Sequence, residues 1–295
     1  MTETVVASLP DAVIGSLSPS RASDFKTCPL LYRFRTIDRL PEAPSRGATR
    51  GTVVHAVLER LYDLPAAERT LDAAQQLVTP AWQHLVDEAP EVAELFTGDD
   101  GTELAAWLDS ARELVASYFA IEDPTRLEPA AREQLVETVV DGLRLRGYVD
   151  RLDVSPSGDV RVVDYKTGTI PREAFEAKAL FQMKFYALVL WRTRGVVPRQ
   201  LKLIYLSDRD TLTYSPEADE LVRFERTLQA IWVAIAKATE RADFRPSPSR
   251  LCDWCDHQAR CPAFGGTPPP FPEDASSRID RDRREAPKPA VEPEL

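Results

Sequence analysis

The chain lacks the features that announce several large classes of protein. No apolar run approaches the roughly 20 residues that cross a bilayer as a helix, so none of its 295 residues suggests a helical membrane anchor. The opening stretch, Met1 to Gly15, begins with acid and has no basic segment leading into an apolar block. A secretory signal is therefore not expected, and a cytoplasmic location is. The pattern G-x-x-x-x-G-K-[ST] does not occur, which excludes a P-loop motor within these residues. Basic residues do not prevail: 47 acidic against 37 basic side chains give a formal net charge of −10. That argues against a protein that coats nucleic acid indiscriminately, but not against one with a locally basic groove. Cysteine is scarce, and four thiols in a cytosolic chain are not read as disulfides by default.

The composition, 43% hydrophobic and 28% charged, is that of a globular protein with material for one large domain or two small ones. The most informative stretch is Gly147 to Gly168, GYVDRLDVSPSGDVRVVDYKTG. It reads as two antiparallel strands joined by a turn at Ser155-Pro156-Ser157-Gly158. Side chains two apart on a strand share a face, so Asp164 and Lys166 fall together while Val163 and Tyr165 face the other way. With Asp150 they offer oxygen ligands for a hard divalent cation and a cationic group beside an attacking water. The same residues are also compatible with a surface hairpin carrying an ordinary Asp/Lys pair.

Residues 1–17 read as a loose leader. A helix follows, capped by Ser18 or Ser20, with Pro19 in its first turn and Phe25, Leu30, Leu31 and Phe34 at helical spacing. Gly47 and Gly51 mark a polar, mobile segment, after which a second helix begins near Thr52 and places His55 and Glu59 on one face. Residues 70–122 form a helical insert that packs on the core. Three strands come next, Leu135–Val140, Leu143–Val154 and Val160–Lys166, the first two joined at Asp141-Gly142, a type I′ signal. A helix over 172–194, strands at 201–206 and 211–214, and a helix over 217–241 complete the order. This pattern predicts an α/β fold, a mixed central sheet flanked by helices. From Gly265 to 295 the Pro-rich tail has too few apolar residues to fold.

Cys252-x2-Cys255-x5-Cys261 is a local cluster, and the fourth cysteine, Cys28, lies more than two hundred residues earlier. Four thiolates suit an iron–sulfur cluster or a structural zinc, with His257 able to replace one in the zinc case; free buried thiols are the bland alternative. Trp254 is expected to pack beside them. A clip between Cys28 and this cluster would join the N- and C-terminal parts.

Together these residues resemble the RecB-type branch of the PD-(D/E)XK nuclease superfamily, in particular iron–sulfur members such as the AddB nuclease domain and the CRISPR adaptation nucleases. The likeness covers residues 18–264 as a single nuclease domain. It rests on His55 in GTVVHAVLE, Gly147-Tyr148-Val149-Asp150, Asp164-Tyr165-Lys166, Gln182-x3-Tyr186, and one cysteine before the core with three after it. It implies a restriction-endonuclease-like core and a [4Fe-4S] cluster on Cys28, Cys252, Cys255 and Cys261. It further implies Mg²⁺ or Mn²⁺ on His55, Asp150, Asp164 and the Tyr165 carbonyl, with Lys166 beside the attacking water. Gln182 and Tyr186 would contact the DNA strand or form an amphipathic helix edge, and Arg21 and Lys26 would touch phosphates or lie on a solvated helix face. Glu133 or Glu137 would support the site, the choice between them open. The implied activity is metal-dependent exonucleolytic cleavage of single-stranded DNA or DNA ends in repair or recombination, with a separate helicase or repair complex as partner. A non-catalytic DNA-binding module of the same fold is the alternative, and a redox-sensing role for the cysteines a third.

Overall fold

The computed structural model describes residues 14–98, 101–170 and 173–280. Its elements, in chain order, begin with β1 (Gly15–Leu17), α1 (Pro19–Thr27), α2 (Pro29–Tyr32) and a π-helical turn over Arg33–Ile37, followed by α3 (Arg46–Leu61). Next come α4 (Leu71–Gln76), α5 (Val78–Glu88) and α6 (Thr102–Ile121), then β2 (Ala131–Val140), β3 (Leu143–Val154) and β4 (Val160–Lys166). The chain continues through α7 (Glu173–Arg194), β5 (Gln200–Tyr205), β6 (Asp210–Tyr214), α8 (Ala218–Glu240) and α9 (Ala275–Asp280). The strands form one mixed sheet in the order β1-β3-β4-β5-β6, with β2 also paired to β3. The chain has the mixed α/β architecture expected.

Compactness divides the chain into two units: residues 1–42, 137–146 and 225–295, and residues 43–136 and 147–224. In the first, β1 runs parallel to the start of β3, Gly15 opposite Leu143. A Cβ on Gly15 would fall 1.8 Å from the Trp232 ring, so only glycine lets that indole lie on the strand. Asp141 and Gly142, with φ of 48° and 80°, turn β2 into β3 in the left-handed region that a type I′ hairpin requires.

Three expectations are corrected here. Gly15–Leu17, placed in a loose leader, are a buried strand, too short to show periodicity. Residues 265–280, placed in an unfolding tail, pack: Phe271 stacks on Phe244 and lies under the Arg33 guanidinium, and Ile279 is buried. Residues 1–13 and 281–295 lie outside the described residues. The segment around Gly47 and Gly51 is helical, since α3 starts at Arg46 with Ser45 as its cap. Gly51 is small because a Cβ there would come 3.2 Å from Thr167 Oγ1.

In the second unit β4 pairs antiparallel with β3 (Arg151 opposite Val163) and parallel with β5 (Asp164 opposite Leu203), and β5 pairs antiparallel with β6. Val163, Tyr165, Ile204 and Leu206 pack against α3 to α6, where Trp82, Phe96 and Trp107 form an edge-to-face trio. Alternation turns Asp164 and Lys166 to the opposite face, where α7 lies.

Beneath this sheet Arg151 is 0% exposed. Its guanidinium donates to Glu122, to Asp153 and to the hydroxyls of Tyr62, Tyr118 and Tyr165. Lys202 reaches Glu122 from β5 at 2.6 Å. Burial alone would raise the Glu122 pKa, but Arg151 and Lys202 reverse the effect and hold it at about 2. A carboxylate depressed in this way contributes stability above its unfolded value near 4.5, and that stability is lost as pH falls toward 2. Glu122→Gln is expected to cost about 3–5 kcal/mol, because it takes from Arg151 and Lys202 the buried carboxylate they share and leaves Arg151 with Asp153 alone. Urea denaturation at pH 7 and at pH 3 should show the variant's deficit shrinking in acid; a deficit independent of pH would assign the loss to packing instead.

Candidate metal and catalytic site

The β3–β4 ladder ends at Arg151 opposite Val163, so one step further Asp150 faces Asp164 where the two strands part. There the backbone of Tyr165 finds side-chain partners. Its N–H donates to Asp150 Oδ2 at 2.8 Å, and its carbonyl lies 2.9 Å from His55 Nε2 on α3. A carbonyl only accepts, so Nε2 carries the proton and Nδ1 presents its lone pair, 3.4 Å from Asp150 Oδ2. Burial lowers the His55 pKa, a pull that the Asp164 carboxylate only partly offsets, and keeps the ring neutral as a ligand must be.

His55, Glu133 and Asp150 each offer a ligand atom, and these atoms lie within 4.8 Å of one another. Glu133 is the member that sequence reasoning left undecided against Glu137. Its φ of 43° puts a non-glycine residue of β2 in the left-handed region, a conformation that costs of order 1–3 kcal/mol. No sequence signal marks that backbone, which is why the choice stayed open.

Asp164 is buried, its side chain 2% exposed. Oδ1 accepts from Gln182 Nε2 at 3.0 Å; Oδ2 stands 2.5 Å from Lys166 Nζ but makes no hydrogen bond of ordinary geometry. Lys166 donates to Gln182 Oε1 at 3.0 Å, and Gln182 also reaches the Tyr186 hydroxyl at 3.0 Å. Burial works against the lysine's charge, but Asp164 and Asp150 outweigh it and raise its pKa. Gln182 thus spans the lysine and the carboxylate. Tyr186, expected to contact DNA, is 5% exposed with its hydroxyl turned inward.

The donor set fits a hard divalent cation. An imidazole nitrogen and two carboxylates converge, and the nearby Asp164 holds a buried oxygen short of partners. The Tyr165 carbonyl, expected as a further ligand, accepts from His55 here. Arg21, expected at DNA, is a buried clasp whose guanidinium donates to the carbonyls of Ser16 and Ile279. Lys26 sits exposed in the last turn of α1.

In the first unit, Cys28, Cys252, Cys255 and Cys261 line one pocket, though their sulfurs do not form a group at the 4.8 Å spacing. The amides of Ser247 and Ser249 donate to the sulfurs of Cys28 and Cys252 at 3.3 Å. Burial raises the Cys255 thiol pKa, and the neighbouring Cys252 and Cys28 add to it. His257 Nε2 lies 2.9 Å from Glu42 Oε1.

Fold and family mark this protein as a nuclease. The PD-(D/E)XK nuclease superfamily model matches residues 16–262, and the chain belongs to that superfamily. The Gene 69 proteins of Mycobacterium phages D29 and L5 are 26% and 25% identical to it, each alignment covering 84% of this chain and 96% of the relative. A candidate exonuclease from Eubacterium rectale, known from its crystal structure, shares the fold with a TM-score of 0.54 and 13% identity, over 82% of this chain and 88% of that one. No helix among the described residues is long and apolar enough to cross a membrane.

The clustered acids have a measurable cost. Burial, then repulsion from Asp164 and Glu133, raises the Asp150 pKa well above the usual carboxylate range. A carboxylate that holds its proton more tightly folded than unfolded contributes stability at low pH and loses it as pH rises through the folded value. Asp150→Asn should therefore raise the Tm of the metal-free protein at neutral pH, by roughly 2–4 °C per kcal/mol of repulsion relieved. It should also remove the further rise that Mn²⁺ gives the wild type. Differential scanning fluorimetry in chelator and in excess Mn²⁺ reads both effects; a lower metal-free Tm for the variant would contradict the repulsion.

Proposed function

We propose that this nuclease is a metal-dependent exonuclease that hydrolyses phosphodiester bonds of single-stranded DNA or DNA ends, in the cytoplasm and in the service of repair or recombination. The observation that carries the reading is the meeting of His55, Glu133 and Asp150 beside the Asp164–Lys166–Gln182 chain. In this reading His55 Nδ1, Asp150 and Glu133 hold Mg²⁺ or Mn²⁺, with Asp164 completing the set. The bound cation supplies Lewis acidity, lowering the pKa of water and offsetting charge on the phosphate.

Lys166, held charged by Asp164, places a cation and hydrogen-bond donors where a phosphate oxygen and the attacking water would sit. Gln182 keeps that ammonium aimed, with Tyr186 fixing the amide in turn. The QxxxY pair then positions the lysine from behind more than it grips the strand. With no P-loop in the sequence, unwinding falls to a separate helicase or to ends that are already open.

The same reading gives the four cysteines a [4Fe-4S] cluster that ties the two ends of the chain together. It is supported by their shared pocket and by the amides aimed at two of the sulfurs. Anaerobic purification should yield brown protein with iron and acid-labile sulfide in cluster stoichiometry; stoichiometric zinc would replace this assignment.

The decisive assay is cleavage of end-labelled single- and double-stranded DNA in Mn²⁺ or Mg²⁺. Lys166→Ala is expected to lower the rate by about 10²–10³-fold, the loss of one donor to the developing charge, and Asp164→Ala, which removes a metal-binding carboxylate, by at least as much, while circular dichroism stays unchanged. A ladder of shortened products gives the polarity. Folded wild type that binds DNA in Mn²⁺ without cutting it would favour a non-catalytic binding module of the same fold.

A further inference from the structure

The sequence leads one to expect Trp254 packed beside the cysteines, yet it is 86% exposed. Trp82, Trp107 and Trp232 are buried and Trp191 is partly covered, so Trp254 is the one tryptophan among the described residues turned fully to solvent. We propose that the cysteine segment of the first unit presents this indole as a stacking platform for an unpaired DNA base. The inference rests on the DNA-nuclease reading and deepens it by naming where the strand is held.

The mount is stiff. Single turns follow one another, with Cys252 N–H donating to Ser249, Cys255 to Cys252, Arg260 to His257 and Cys261 to Gln258. Gly266 closes against the same segment, where a Cβ would come 2.4 Å from the Ala259 carbonyl oxygen. An aromatic ring on such a mount loses little conformational freedom when a base stacks on it.

The chemistry of the patch selects the occupant. Arg250, Asp253, Asp256 and Arg260 are exposed in the same segment as the indole, and these four charges sum to zero. Phosphate neutralisation therefore contributes little, and the π-face contributes most. Leu251 and Phe264, each about half exposed, turn toward the cysteine pocket they line. One indole buries about 150–250 Å², well short of the roughly 800 Å² per side of a stable protein interface. A duplex keeps its bases stacked on one another, so the patch suits a single strand.

Fluorescence tests this directly, because Trp254 is the tryptophan among the described residues most open to iodide. Full-length, anaerobically purified protein without added divalent cation is titrated with an oligothymidylate and with a duplex of equal length, binding being followed in parallel by anisotropy. The single strand should quench the iodide-accessible emission and the duplex should not. Trp254→Ala should weaken single-strand binding roughly tenfold with little change in salt dependence, and Trp254→Phe should recover most of the loss. The proposal is overturned if the emission stays unchanged where anisotropy saturates, if duplex quenches equally, or if Trp254→Ala binds like wild type. The two readings fail separately. Cleavage without quenching removes the platform alone, and quenching without metal-dependent cleavage removes the catalytic reading alone.

Discussion

The organisation of the second unit depends on the two backbone groups of Tyr165. Where β3 and β4 separate, a strand residue is left with an N–H and a carbonyl that the ladder no longer serves, and buried backbone groups must find partners. Asp150 accepts from the one and His55 donates to the other. The residue's own side chain passes to the opposite face and takes a hydrogen bond from Arg151. One residue therefore orients two of the candidate metal ligands while being gripped from beneath the sheet. The partners that position the site are the partners this strand end would need in any case.

That arrangement divides β3 by face. Asp150 turns to the acidic side and Arg151 to the buried polar cluster, so adjacent residues carry opposite charges in opposite layers. The buried arginine is itself an expensive element, tolerated because Glu122, Asp153 and three phenols satisfy it together. Repulsion among Asp150, Asp164 and Glu133 is a second cost, which a bound cation would relieve. Stability is thus conceded at the site and supplied by the core around Trp82, Trp107 and Val163.

Much of this was legible in the sequence because it depends on period and punctuation. The alternation in Val162 to Lys166 separated Asp164 and Lys166 from Tyr165, and Asp141-Gly142 announced its hairpin. What stayed hidden depends on long-range packing. Gly47 and Gly51 read as loop because glycine's helix penalty is local, whereas Gly51's reason, the approach of Thr167, is tertiary. Arg21 read as a phosphate contact because nothing nearby in sequence shows the Ile279 carbonyl that buries it. Phe271 and Ile279 were lost in a Pro-rich composition, and the backbone twist that sends Glu133 inward has no residue signature. Residue type alone points Trp254 to packing, the usual fate of tryptophan and not the one found here.

The interleaving of the two units has a consequence for biosynthesis. All of the second unit lies between residues 43 and 224, while the first takes described residues both from before residue 43 and from residue 225 onward. On a ribosome adding about 5–20 residues each second, Cys28 emerges on the order of ten seconds or more before Cys252, Cys255 and Cys261. During that interval its thiol has no companions, and β1 waits for β3 to be made. The unit with the acidic site can complete its fold first, and the cysteine pocket closes last.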